Sequence, residues 1–295
     1  MSSLEFPPRP VDGHKGTFGS VCVLGGQRSE DGVVMLGAPT LAANAAMRSG
    51  CGTVMLGLPQ PLIAEGITLA PTATGIELPV DDAGGLMPSQ IIELLDNHAA
   101  GCSCFVIGPG FGSDWAQQQV VVALASREDR PIVLDADALN ALSKLSQGQL
   151  DLHAPTIMTP HIGEYKRLAK SMGIDIDAEN IEEAGAALAQ AYGCVVVLKG
   201  HKTVVTDGIR LELCDEGGVE LATGGSGDVL AGLIAGFLAQ WGDDAINHLF
   251  DASLLGVNVH AHSGSSFASK SGNAGMLATD LLQEIPHSIS TLRAT

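Results

Sequence analysis

Short apolar runs closed by Gly or Pro alternate along the chain with longer helix-like segments. Ser20–Leu24 is an apolar run ending at Gly25-Gly26, the pattern of a buried strand. Ala38–Ser49 is Ala-rich and stops at Gly50, which predicts a helix with a C-terminal glycine. Thr53–Leu58 then predicts a second strand. The order repeats: a strand at Cys104–Ile107 before Gly108-Pro109-Gly110, a helix from about Asp114 to Ser126, and a strand at Pro131–Leu134. Thr156–Met158 predicts a short strand before Thr159-Pro160, followed by helices near Gly163–Met172 and Ala178–Tyr192 and a strand at Cys194–Leu198. Val204–Thr206 and Arg210–Leu213, with Asp207-Gly208 between them, predict a hairpin. From Asp228 onward the chain reads as mostly helical. Apolar strands alternating with helices predict an α/β fold whose central, mostly parallel sheet is flanked by helices on both faces. Neither a low-complexity linker nor an internal repeat interrupts the pattern, so residues 1–295 are expected to form a single domain, with 1–12 as an extended lead-in.

Composition sharpens this picture. The chain is 45% hydrophobic and 16% charged, enough apolar material for a substantial core and too little charge for disorder. Its 37 glycines against 4% aromatics suit tight strand-to-helix turns and loops that approach a ligand closely. Fifteen basic residues face 33 acidic ones, a formal charge of −18. Such a field repels nucleic acid and anionic membranes, so neither is expected as a partner, although a local nest of backbone N–H groups can still hold a phosphate. The six cysteines are scattered through apolar runs and are expected to be buried and reduced. The N-terminal residues lack a basic-then-apolar signal pattern, and no run is long enough to span a bilayer, so a cytoplasmic protein is expected.

In an open α/β sheet, ligands sit beyond the carboxyl ends of the strands, so the loops after strands carry the candidate chemistry. Neither the P-loop nor the dinucleotide fingerprint occurs. What the chain has instead is Thr223-Gly224-Gly225-Ser226-Gly227-Asp228 running into Val229–Phe237. Gly224, Gly225, Ser226 and Gly227 can converge their N–H groups at a helix start into an anion nest suited to a phosphoryl group in flight. Asp228 at its mouth is placed to accept the proton of an attacking hydroxyl. The same stretch also fits a plain glycine turn with Asp228 as an N-cap. Gly108-Pro109-Gly110-Phe111-Gly112 reads either as a ligand approach or as a tight turn. Asp135 is a candidate contact to a ligand or to metal-bound water, and Asp137 is expected to cap a helix. His161 and Glu164 would share one helix face and address a pocket, or lie on the surface. Lys199 could meet nucleotide phosphate or belong to a solvated turn. His260 and His262 lack a third partner, and no metal role is expected of them.

The order of these blocks is more specific than any one of them. His14-Lys15-Gly16-Thr17-Phe18-Gly19-Ser20-Val21 before Gly25-Gly26, then GPGFG, DADALN, TPHIGE, VVLKGHKT and ATGGSGD, closely resembles the ADP-dependent NAD(P)H-hydrate dehydratases of the ribokinase-like superfamily, over roughly residues 13 to 286. The resemblance implies a ribokinase-like fold and an enzyme that restores NAD(P)H from the S epimer of its hydrate. ADP would phosphorylate the ring hydroxyl and phosphate would then leave, giving AMP and phosphate, with Mg2+ as the metal. It places Ala38, Gly110 and His161 on the hydrated dinucleotide, Lys199, Gly200, His201, Lys202, Thr203 and Gly227 on the adenine nucleotide, and Asp228 on the substrate hydroxyl as base. Glu164 matches a metal motif of the superfamily and would act on Mg2+ through water. The family usually has Pro where this chain has Ile162, and Thr where it has Ser226; the stretch Gln27–Leu36 also departs from its pattern. By resemblance a homo-oligomer is expected, with a tetramer favoured, and an NAD(P)H-hydrate epimerase would be a separate chain. Two other readings remain: a small-molecule kinase of the same superfamily, acting on a vitamin precursor or sugar, and a non-catalytic nucleotide-binding module.

Overall fold

The computed structural model describes residues 4–29, 31–145 and 152–294. In chain order the strands are β1 (Ser20–Leu24), β2 (Gln27–Arg28), β3 (Val34–Met35), β4 (Thr53–Pro59), β5 (Thr74–Leu78), β6 (Cys104–Ile107), β7 (Ile132–Leu134), β8 (Thr156–Met158), β9 (Val195–Leu198), β10 (Thr203–Thr206) and β11 (Leu211–Cys214). The helices are α1 (Gly37–Ser49), α2 (Ile63–Leu69), α3 (Pro88–His98), α4 (Trp115–Ala125), α5 (Asp137–Leu142), α6 (Ile162–Met172), α7 (Ile181–Tyr192), α8 (Ser226–Ala239), α9 (Leu249–Ser271) and α10 (Ala278–Arg293).

Among the described residues, the main sheet has nine strands in the order β11-β10-β9-β8-β7-β6-β1-β4-β5. From β9 to β5 neighbouring strands run parallel, whereas β10 and β11 close one edge as an antiparallel hairpin. The expected mostly parallel sheet is therefore present. Its strands are apolar on both faces because both faces are covered. In β1, Val21 and Val23 face the cluster built with α1, α8, α9 and α10, while Cys22 and Leu24 face the side covered by α3 to α7. All six cysteines are buried and unpaired, as expected.

The ends of the elements shift where side chains compete for the backbone. Helix α7 begins at Ile181 rather than Ala178 because Asp177 holds a turn, its Oδ1 accepting from Glu179 N–H at 3.0 Å and its carbonyl from Asn180 N–H at 3.1 Å. Strand β5 and helices α2 and α3 add elements that the apolar-run pattern does not pick out. Strand β5 is the sheet edge and alternates exposed and buried residues. In the lead-in, residues 4–10 form no regular element, yet Leu4 and Phe6 pack on the core and Arg9 Nη1 bonds Gly50 O at 2.8 Å; residues 1–3 lie outside the described residues. No helix among the described residues is long and apolar enough to cross a membrane.

Helix α8 is the axis of one layer. Apart from Gly227 and Asp228, its residues are buried. It can lie against α1 because a side chain at Gly232 would stand 2.1 Å from the Ala42 carbonyl oxygen, and one at Gly236 would stand 2.7 Å from that of Ala46. That contact fixes where the first turn of α8 points.

Candidate active site

The order β4-β1-β6 reverses direction around β1, and ligands bind in α/β sheets at such a switch, beyond the carboxyl ends of the strands. Five loops meet there. Gly25-Gly26 follows β1, and Gly26 N–H donates to Pro109 O at 3.1 Å in the loop after β6. Asp135 follows β7, Thr159 to His161 follow β8, and Lys199 follows β9. The first turn of α8 enters from behind.

Lys199 is the centre of charge. Its Nζ lies 2.9 Å from Asp135 Oδ1, and that same oxygen accepts from Thr159 Oγ1 at 2.7 Å. Asp135 is 2% exposed while the Lys199 side chain is 20% exposed, so the ion pair is rooted in the core and reaches the cavity wall. Burial disfavours the lysine's charge, but the carboxylates of Asp135, Glu164 and Asp228 outweigh it and hold its pKa above the ordinary value. A side chain on Gly227 would stand 3.2 Å from Lys199 Nζ, so the ammonium sits directly over the first turn of α8. Helix geometry leaves the N–H groups of that turn without intrahelical partners and makes it the positive end of the dipole.

Asp228 is in the same turn, not at the N-cap. The N-cap is Gly225, at φ 90°, a conformation that the absence of Cβ permits. Burial, helped by the charge of Asp135 and opposed by that of Lys199, pushes the Asp228 carboxyl up to about 7. Among the described residues its side chain hydrogen-bonds to none, which leaves it available to an incoming hydroxyl.

His161 and Glu164 form a capping box at the start of α6. His161 Nδ1 accepts from Gly163 N–H at 2.8 Å and Glu164 N–H at 3.4 Å, and Glu164 Oε2 accepts from His161 N–H at 2.8 Å. Burial, with the charges of Lys199 and Arg167, lowers the His161 pKa, so the ring is neutral near pH 7 with Nε2 carrying the proton. Burial raises Glu164 to about 7.

A cavity of about 290 Å3 opens beside this centre. His161, Lys199, Gly200, Thr203, Ser226 and Gly227 supply its polar wall, while Leu221, Leu230, Val257 and Ala261 supply an apolar one. A cavity with one apolar wall and a cationic end at a helix start has the character of a nucleotide site.

A family model described as NAD(P)H-hydrate dehydratase matches residues 21–287. The chain belongs to the NAD(P)H-hydrate dehydratase family. It is 35% identical to the ADP-dependent (S)-NAD(P)H-hydrate dehydratase of Neisseria meningitidis, over 95% of this chain and 90% of that one. It also matches bifunctional NAD(P)H-hydrate repair enzymes, such as that of Moorella thermoacetica at 36% identity, and spans about half of their length (98% of this chain, 52% of that one). Among solved structures, a ribokinase-like superfamily protein of Enterococcus faecalis superposes with a TM-score of 0.78 at 26% identity, covering 97% of this chain and 92% of that one. The ADP/ATP-dependent NAD(P)H-hydrate dehydratase of Bacillus subtilis, co-crystallised with ATP/Mg2+, superposes at 0.74 and 26% identity, covering 97% and 94%. The ribokinase-like fold expected from the sequence is thus borne out.

In this dehydratase-family chain, the residues assigned by resemblance fall into two places. Lys199, Gly200, Thr203, Ser226, Gly227 and His161 line the cavity. Gly224 is exposed at the rim, and His201 and Lys202 are exposed on the turn between β9 and β10, outside the cavity wall. Ala38 and Gly110 lie together elsewhere: a side chain on Gly110 would stand 3.5 Å from Ala38 Cβ and 3.0 Å from Met35 Cβ. Gly110 has φ 57° and Phe111 N–H donates to Gly108 O at 3.0 Å, so the GPGFG loop forms a tight turn. Asp137 is not the cap of α5. It is the first helical residue, its Oδ2 accepting from Gly112 N–H at 2.9 Å, and the cap position falls to Ala136 at φ 48°. Ile162, the departure from the family's Pro, occupies the first helical position of α6, where Pro is also favoured, and the capping box holds His161 without it. The sequence pattern assigned no role to His260, yet its Nε2 lies 2.9 Å from Ser226 O and 3.0 Å from Ser226 Oγ. Burial lowers its pKa to about 4, so a neutral ring braces the nest from behind. The signal was there: a lone histidine between Val257, Val259 and Ala261 on a buried helix face.

Proposed function

We propose that the chain catalyses ADP-dependent dehydration of the S epimer of NAD(P)H hydrate to NAD(P)H, yielding AMP and phosphate. The observation that carries this reading is the unpartnered Asp228 carboxyl, ionising at about 7, in the same helix turn that presents Gly227 beneath the Lys199 ammonium. As the ring hydroxyl attacks the terminal phosphorus of ADP, Asp228 takes its proton, and AMP departs with the electrons of the broken P–O bond. Lys199 and the first turn of α8 meet the charge that gathers on the transferred phosphoryl oxygens. Hydroxide is a poor leaving group; the phosphate made from it is a good one. The C–O bond then breaks, phosphate leaves with the bonding pair, and loss of a proton from the neighbouring carbon restores the ring double bond.

The dinucleotide would lie along Ala38 and Gly110 towards His161, whose protonated Nε2 can donate to it. The adenine nucleotide would occupy the cavity, with His201 and Lys202 reaching over its rim. Asp135 and Glu164 offer hard oxygen donors suited to Mg2+. Because Glu164 Oε2 accepts the His161 N–H of the cap and Oε1 lies 3.4 Å from His161 Nε2, Glu164 fits a water-mediated contact rather than direct ligation. Mg2+ supplies neutralisation of phosphate charge when bound. Unpaired buried cysteines suit a reducing compartment, in keeping with a cytoplasmic enzyme. A homo-oligomer, a tetramer by resemblance, completes the proposal.

Dehydratase relatives of similar length support this reading over a vitamin-precursor or sugar kinase and over a silent binding module. The decisive assay mixes the S hydrate of NADPH with ADP, Mg2+ and the protein, and follows the absorbance band of the reduced nicotinamide together with AMP. Recovery of the band with one AMP per turnover is expected. A stable phosphorylated product with no recovery of the band would mark a kinase, and neither product would mark a binding module.

A further inference from the structure

Away from the nucleotide cavity, at the junction between α8 and α9, the structure assembles a second chemically distinct group. His248 ends the 3₁₀ segment Gly242–His248, Asp251 lies in the first turn of α9, and Glu5 arrives from the lead-in. One ligand atom from each lies within 4.8 Å of the other two. We propose that Glu5, His248 and Asp251 form a binding site for a divalent transition ion, of which Zn2+ is the natural probe, and that the ion fastens the lead-in to the start of α9.

The ring of His248 is prepared for this role. Its Nε2 lies 2.9 Å from Asp244 Oδ2, and the ring stacks on Trp241 with centroids 4.7 Å apart and planes 8° from parallel. A carboxylate on one ring nitrogen fixes the proton there and leaves a lone pair on the other, the arrangement by which proteins orient histidine ligands. The other nitrogen, Nδ1, is buried and makes no hydrogen bond. It lies 3.4 Å from Asp251 Oδ2. Two donors each about 2.1 Å from a tetrahedral ion stand about 3.4 Å apart, so this pair already has the spacing of two ligands. Without a cation or a proton between them, a lone pair and a carboxylate oxygen face each other unfavourably.

Glu5 is exposed and free to close the remaining distance by rotation of its side chain. One nitrogen and carboxylate oxygens favour a borderline ion over a purely oxygen-seeking one. Arg210 also borders the adjoining cavity, but Asp207 engages its guanidinium at 2.7 Å, and Glu5, Glu212 and Asp251 outnumber it there. His248 precedes His260 by twelve residues on or beside α9, about 18 Å along the helix, so the site stands apart from the phosphoryl-transfer centre and does not depend on the function proposed for it.

The test uses the full chain, stripped with a chelator, dialysed, and titrated with Zn2+ and separately with Co2+ while Mg2+ is held in excess. Calorimetry is expected to give one equivalent of Zn2+, Co2+ to give visible absorption bands of a nitrogen-and-oxygen site, and Zn2+ to raise the melting temperature. H248Q and D251N should lose that equivalent, D244N should weaken it by about 10- to 100-fold, and E5Q should abolish the melting shift while turnover stays at the wild-type level. E5Q alters an exposed side chain, so misfolding does not confuse its result. If the wild type takes up no Zn2+, the proposal is overturned, and a protonated His248 bridging Asp244 and Asp251 accounts for the geometry. If H248Q and D251N bind like the wild type, the ion lies elsewhere on the acidic surface and the proposal is equally overturned.

Discussion

Asp228 joins two properties that a base in phosphoryl transfer needs: an oxygen free of protein partners and a protonation point raised to about 7. D228N should lower turnover by about 10²- to 10⁴-fold, while ADP binding measured by calorimetry persists; undiminished turnover would remove Asp228 from the role of base. For the wild type, kcat/KM should fall as pH drops through about 7, because protonation removes the base. The same shift has a thermodynamic sign. A carboxyl whose folded pKa is raised binds its proton more tightly in the native state, so its stabilising contribution is complete below about pH 4 and is lost as pH rises through about 7. Asn mimics the protonated form, so D228N should melt above the wild type at pH 8 and together with it near pH 4. Identical melting curves at both pH values would show that the carboxyl is not desolvated. At Asp135 the expectation reverses: D135N leaves the partly buried Lys199 without its closest counter-charge and should cost up to about 3 kcal/mol by chemical denaturation. As candidates, Lys199 was legible because it ends an apolar strand, and Asp228 because it closes a Gly-rich turn at a helix start. The partnership of Asp135 with Lys199 was not, since the two are 64 positions apart and only the parallel order β7-β8-β9 brings their strand ends together.

At the scale of elements, the glycines of α8 divide into those that serve packing and one that lines the cavity. A methyl at Gly232 would meet the backbone of α1 at 2.1 Å, which no side-chain movement relieves, so G232A should destabilise the fold by about 1–3 kcal/mol or more. A methyl at Gly227 would meet only the end of the flexible Lys199 side chain at 3.2 Å. G227A should therefore keep or slightly raise the melting temperature, by helix propensity worth up to about 1 kcal/mol, while the methyl covers the N–H groups of the first turn and raises KM for ADP severalfold. Loss of stability in G227A with unchanged KM would make that glycine a packing residue like Gly232. Elements buried on both faces, such as β1, β6 and β9, were legible because a short, continuous apolar run bounded by turn residues fits a strand covered on both sides. Strand β5 was not: Thr74-Gly75-Ile76-Glu77-Leu78 carries the weak alternation of an edge, with one face in water. Helix α3 hides for a related reason, since it buries only Ile91 and Leu95 while the rest of its surface is polar or partly covered.

For the whole molecule, the formal charge of −18 and the anionic ligands of the proposed reaction are in tension. The net field acts over tens of ångströms at low ionic strength and repels ADP and a dinucleotide as they approach. The attraction of Lys199 and the first turn of α8 acts only at contact, inside a cavity where salt screens poorly. The two effects therefore separate in kinetics. Raising ionic strength from about 0.01 M to about 0.1 M shortens the Debye length from about 30 Å to about 10 Å, which removes most of the long-range repulsion and leaves the contact interactions nearly intact. The association rate for ADP, measured by stopped flow, should rise over that range while the dissociation rate changes little, so affinity improves with added salt. K202Q, which removes an exposed charge at the cavity rim, should steepen the increase by leaving the repulsion less opposed. An association rate that falls as salt is added would mean that the local positive potential around Lys199 and Lys202 reaches well beyond the cavity mouth and governs capture despite the acidic surface.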